Sequence, residues 1–169
     1  MVKGKRFFRL SIAIQELFLL ISEMNHLKQS KQTGIFVSVF NKETGDALME
    51  QTFGLLHLDQ EESYRVFCQQ RAFWLFSHPD AICSIENGED AFTGAVSGRK
   101  HVVAVSGLDP HDNSAVAILI LSQLEDTQED RDKRDAYVRM SECWDDLYII
   151  LDFLACVHKM DLFDRFNAV

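Results

Sequence analysis

The sequence predicts an α/β domain: an antiparallel sheet of about five strands flanked by helices, followed by a C-terminal helical extension. Three observations carry this expectation. Two runs, GIFVSVF (34–40) and DALMEQTF (46–53), the first rich in β-branched and aromatic residues, are joined by the short turn Lys42-Glu43-Thr44-Gly45, the pattern of a β-hairpin. Segments with apolar residues at three- and four-residue steps alternate with these strands, as amphipathic helices require. Near the C-terminus, Tyr137, Met140, Trp144, Leu147, Leu151, Leu154 and His158 step by 3-4-3-4-3-4, a heptad seam.

The elements follow in order. Leu10, Ile14, Leu17, Ile21 and Met24 predict a helix over 9–30, with Ala13, Leu20 and Leu27 widening its apolar stripe toward a second face, and Gly34 as its stop. After the hairpin, Asp59 and Glu62 have capping-box spacing, so a second helix is expected over about 60–77, with Tyr64, Phe67, Cys68, Ala72 and Leu75 on one side. Pro79 ends it. Strands are expected at Ala81–Ile85, Ala91–Val96 and Lys100–Ser106, the last alternating through Val103 and Val105. Asp112 or Asn113 caps a helix over Ser114–Leu124, whose AVAILIL run is apolar nearly all round and so buried on more than one side. Glu125–Asp135 holds six acids and three bases in eleven residues, a charged break. The division is therefore a domain at 1–124 and, at 125–169, an acidic connector with a helix that packs on the domain or on a partner.

Composition narrows the function. Hydrophobic residues make up 47% of the 169, and thirteen are Phe, enough for a packed core. The net charge of −9 is uneven: residues 1–34 carry six Lys/Arg against two Glu, a net of +4, whereas 125–169 carry twelve Asp/Glu against six Lys/Arg, a net of −6. An acidic chain repels phosphate backbones, so nucleic acid is a poor partner. The longest strictly apolar run in the N-terminal segment, Leu17–Ile21, is far too short to span a bilayer, and Gln15 and Glu16 interrupt any signal-peptide core. The four cysteines, Cys68, Cys83, Cys143 and Cys156, form no C-x-x-C pair, which points to a reducing, cytoplasmic compartment and to no structural zinc.

Three pieces of the pattern carry a family resemblance. VSVFNKETGDAL (37–48), the helical segment Gln69-Gln70-Arg71-Ala72, and AFTGAVSG (91–98) followed by VVAVSGL (102–108) and Asp112 resemble, in this order, the GlcG-like family, often described as heme-degrading or heme-binding. The resemblance covers roughly 35–124. It implies a profilin-like curved sheet, a tendency to form homo-oligomers, and a pocket for heme or another small organic ligand near the glycine loop. The chain departs from that family at three places. The double-glycine loop is reduced to Gly94 and Gly98, the basic pair is diluted to Gln70 and Arg71, and Asn41 stands near the place of the family's hairpin Asp.

The candidate ligand-binding residues are Arg71, Thr93, Gly94, Ser106, Gly107 and Asp112. Glycine lets backbone approach a ligand, with free N–H groups for an anion, and Arg71 supplies a fixed charge for a carboxylate or propionate. The candidate interface residues are Tyr137, Met140, Trp144, Leu147, Leu151 and Leu154, with Trp144 as aromatic anchor. No catalytic or metal-ligating set emerges. There is no G-x-S-x-G, P-loop, G-x-G-x-x-G or H-E-x-x-H. His57, His78, His101 and His111 read as surface or capping residues. Adjacent carboxylates such as Glu61-Glu62 point apart on a helix. The expected function is non-catalytic binding of a small molecule, heme included, in a homo-oligomer. The alternative is a module that binds a protein partner through the heptad helix.

Overall fold

Strands buried at nearly every position belong at the centre of a sheet covered on both faces, and Gly34–Asn41 and His101–Ser106 are two such strands. The computed structural model describes residues 3–23, 33–84 and 94–125. In them the chain order is α1 (Lys3–Ile21), β1 (Gly34–Asn41), β2 (Ala47–Gly54), α2 (Leu58–Ser77), β3 (Ala95–Ser97), β4 (His101–Ser106) and α3 (Pro110–Leu124). The strands form one antiparallel sheet in the order β2-β1-β4-β3.

The period of two along each strand divides the core. Ile35, Val37 and Val39 of β1 and Val103 and Val105 of β4 face α1 and α3, with Phe53 and Val96 from the flanking strands. Phe36, Phe40, Val102 and Ala104 face the other way, onto Cys68, Ala72 and Leu75 of α2. The result is three layers, with α1 and α3 on one face of the sheet and α2 on the other. The edge strand β2 keeps Glu50 and Gln51 in water, which discourages further pairing along that edge.

The hairpin forms as expected. Asn41 closes its turn, its Oδ1 accepting from the backbone N–H groups of Glu43 (2.8 Å) and Thr44 (3.2 Å). Helix boundaries differ from expectation. Helix α1 begins at Lys3 rather than residue 9, and Gly34 opens β1 instead of stopping the helix. The expected helical residues 24–30 lie outside the described residues. Helix α2 starts at Leu58 because Gln60 Oε1 reaches back to the His57 N–H at 3.2 Å, so the box is His57/Gln60 and not Asp59/Glu62. Phe67 is 46% exposed, on the flank of the helix rather than in the buried stripe. Helix α3 starts at Pro110, one turn early, since proline's fixed φ opens a helix well. Asn113 instead bridges both the N–H and the C=O of Leu108 with its carboxamide (3.1 and 2.8 Å).

The sheet has four strands among the described residues. The expected strand Ala81–Ile85 is reduced there to one antiparallel bridge, Cys83 to Val96. His78, Pro79 and Asp80 are taken up by the turn that ends α2, which leaves little extended chain to pair. No helix among the described residues is long and apolar enough to cross a membrane.

Candidate functional site

Helix α2 presents one polar side chain to the sheet along its buried stripe. Cys68, Arg71, Ala72 and Leu75 are its buried residues, at steps of three and four, so the guanidinium is directed into the core along with the apolar groups. Its Nη1 donates to the Val105 carbonyl at 2.8 Å and to Ser106 Oγ at 2.6 Å. Its Nε is buried without a hydrogen-bond partner, and the Phe67 ring lies 6.0 Å from its Cζ. No carboxylate is among its hydrogen-bond partners in the described residues. Burial pulls the Arg71 pKa below its ordinary value, yet an arginine this basic keeps its charge.

The thiol one turn away is inert. Burial pushes Cys68 up to about 11, against the opposing pull of Ser106, Arg71 and Ser38, and its Sγ lies 3.7 Å from the Phe36 carbonyl. A neutral, buried thiol has no nucleophilic role at physiological pH.

The structure brings together three of the predicted ligand residues. Arg71 and Ser106 are hydrogen-bonded, and Gly94 closes over them. Gly94 has φ +113°, and a Cβ built on it would stand 3.1 Å from Arg71 Nη1, 2.9 Å from Asn113 Cβ and 2.8 Å from the Val105 carbonyl. This glycine therefore sits where α2 and α3, on opposite faces of the sheet, both reach its end. Gly107, with φ +119°, packs against the backbone of Gly34 and Ile35 and the Tyr64 ring. Asp112 is buried in the first turn of α3, and its neighbour Asn113 is the one that reaches Gly94. Thr93 lies outside the described residues.

A second polar centre was not foreseen. Glu125, the C-cap of α3, is 5% exposed. Its carboxylate accepts from the backbone N–H groups of Arg99 (2.6 Å), Lys100 (2.8 Å) and His101 (2.7 Å), and from His101 Nδ1 (2.8 Å). Burial alone would raise the Glu125 pKa, but hydrogen bonds from His101, Lys100 and Arg99 outweigh it and bring the carboxyl down to about 2. The group is thus an anion at neutral pH. Gly98 permits the approach, since a Cβ there would lie 2.5 Å from a Glu125 oxygen. His101 is accordingly a buried, paired residue and not a surface one. The arrangement ties the β3–β4 turn to the end of α3. Among the described residues no group of three His, Cys, Asp or Glu could hold a metal ion.

Helix α1 carries a feature of a different kind. Leu10, Ile14, Leu17 and Ile21 are buried against the sheet side. Phe8, Ile12 and Leu19 are 68%, 47% and 55% exposed. At about 100° per residue these three fall within roughly 40° of one another and roughly opposite the buried stripe. Of the residues expected to widen the stripe, Leu20 is half-buried against the core and Ala13 is half-buried, while Leu27 lies outside the described residues; the exposed stripe is a different set. The interface residues Tyr137, Met140, Trp144, Leu147, Leu151 and Leu154 lie outside the described residues. No family model, curated protein or solved structure matches the chain.

Proposed function

We propose that this chain is a non-catalytic assembly module that pairs with a second copy of itself through the outer face of α1. The observation that carries this reading is the exposed stripe Phe8–Ile12–Leu19, opposite the face of the same helix that builds the core. Isolated exposed apolar residues are ordinary, whereas an aligned stripe including a Phe costs solubility unless it is covered. An antiparallel, two-fold pairing of α1 sets Arg9 beside the Glu16 end of the partner helix. Light scattering over a dilution series tests it. Wild type is expected at twice the chain mass, and Ile12→Asp weakens the dimer about a hundredfold or more. A monomeric wild type, or a dimer indifferent to Ile12→Asp, overturns the reading.

A second reading, a small-ligand domain of the GlcG-like, profilin-like type, draws support from Arg71. A buried guanidinium with an unpartnered Nε and no carboxylate among its hydrogen-bond partners in the described residues is costly in the free protein, and a carboxylated ligand would offset that cost. His101 Nδ1 is hydrogen-bonded to Glu125, which leaves Nε2 as the ring nitrogen that could meet a heme iron, and the ring is buried. Titration with hemin and with a series of aromatic carboxylates is the test. Saturable binding that Arg71→Met weakens at least tenfold supports a ligand site, and the absence of saturable binding removes it.

A further inference from the structure

A guanidinium offers a carboxylate two planar edges, one between its terminal nitrogens and one along Nε and Nη2, each able to donate two parallel N–H bonds. At Arg71 the protein uses a single nitrogen. Nη1 makes both bonds, to the Val105 carbonyl at 2.8 Å and to Ser106 Oγ at 2.6 Å. Nε is buried without an acceptor, and among the described residues nothing accepts from Nη2. The whole Nε/Nη2 edge is therefore left over by the described residues. Arg71 is 8% exposed, deep enough that solvent screens its charge poorly. Glu50, the acid on the same face of the sheet, does not pair with it. Glu50 is exposed and accepts from Gln69 Nε2 at 3.2 Å.

The surroundings limit what can fill that edge. Gly94 closes the Nη1 side, where a Cβ would stand 3.1 Å from the nitrogen. Cys68, Ala72 and Leu75, on the same stripe of α2, are buried against the sheet. Phe67, one turn before Arg71 on the same flank, has its ring centroid 6.0 Å from Cζ and is half exposed, so the guanidinium meets solvent on that side. We propose that the Nε/Nη2 edge of Arg71 binds a compact carboxylate, of the size of formate or acetate, that enters past Phe67. The proposal rests on the ligand reading of Arg71 above and narrows it to a substrate class. A neutral acceptor would satisfy the two donors but not the charge, whereas a carboxylate matches both. The packing around Nη1 leaves no place for an aromatic or macrocyclic body.

Thermal unfolding of the full chain at fixed ionic strength, with sodium chloride replaced stepwise by formate, acetate or pivalate, tests it. Formate and acetate are expected to raise Tm saturably, as a ligand of the folded state does. Pivalate, with the same charge and a bulky tail, should bind at least tenfold more weakly. Arg71→Lys keeps the charge without the fork and should lose at least tenfold in acetate affinity. If that variant fails to fold, proton line broadening of formate by the wild-type chain gives the same reading, reversed by acetate and not by pivalate. Pivalate binding as tightly as acetate overturns the size class while leaving the ligand reading standing. An acetate response unchanged in Arg71→Lys places the anion elsewhere and overturns the proposal. So does a Tm indifferent to formate and acetate, and if hemin and aromatic carboxylates are then also silent, the ligand reading falls with it.

Discussion

Glu125→Ala is expected to lower stability at pH 7 by roughly 3–5 kcal/mol, a fall of roughly 10 °C in Tm for a chain of this size, measured by urea and thermal unfolding. The size follows from what is left behind. One carboxylate serves three consecutive backbone N–H groups and the His101 ring, all within 2.6–2.8 Å. Its removal strands the N–H and ring of His101, which is 7% exposed, and leaves the half-buried Arg99 and Lys100 N–H groups without their acceptor. Glu62→Ala is the contrasting variant. Glu62 binds Arg65 at 2.7 Å, but both side chains stand in water, and stability should change little. The pH dependence has a definite sign. Folding depresses the Glu125 carboxyl from its ordinary 4.5 to about 2, so the clamp contributes fully above about pH 4.5 and is lost as pH falls toward 2. The gap between wild type and Glu125→Ala should therefore narrow through that window. A gap that stays constant from pH 7 to 2 would show that the carboxylate's charge does not hold the turn.

This clamp also marks what the sequence could not reveal. The hairpin was legible because Asn41 and Gly45 act within four residues of each other, and its strands announce themselves by composition. Helix α3 was legible for the same reason, since a run apolar on all sides has nowhere to go but inward. Glu125 pairs with groups 24 to 26 positions away. In sequence it was simply the first acid of a charged stretch, and only the fold turns it inward. Arg71 was halfway legible. Its three- and four-residue steps from Cys68 and Leu75 place it on the buried stripe, but a charge at such a position reads as a ligand contact or as a pin with equal ease. The structure shows the pin, at Val105 and Ser106, and leaves the Nε unaccounted for. Helix starts were missed by several residues because capping depended on Gln60 and Pro110, which compete with equally acceptable Asp residues nearby.

Gly94→Ala should destabilise the fold by roughly 3–5 kcal/mol when backbone strain and overpacking are combined. Its φ of +113° is a conformation that side chains rarely adopt. The added Cβ would also press on a carbonyl, a helix side chain and the Arg71 guanidinium at once, all within 3.1 Å. None of these neighbours yields easily. The Val105 carbonyl belongs to a central strand, Asn113 is held by Leu108, and Arg71 is held by Val105 and Ser106. Gly45→Ala separates the two contributions. Gly45 has φ +74° with nothing within 4 Å of its would-be Cβ, so it incurs the backbone penalty alone, about 1–2 kcal/mol. Unfolding of the two variants side by side should show Gly94→Ala worse by about 2 kcal/mol or more, the cost of displacing the packed neighbours. Equal losses would mean that the Gly94 end of the sheet relaxes freely. Arg71 would then not be locked beneath it, and the ligand reading of that residue would gain the room it otherwise lacks.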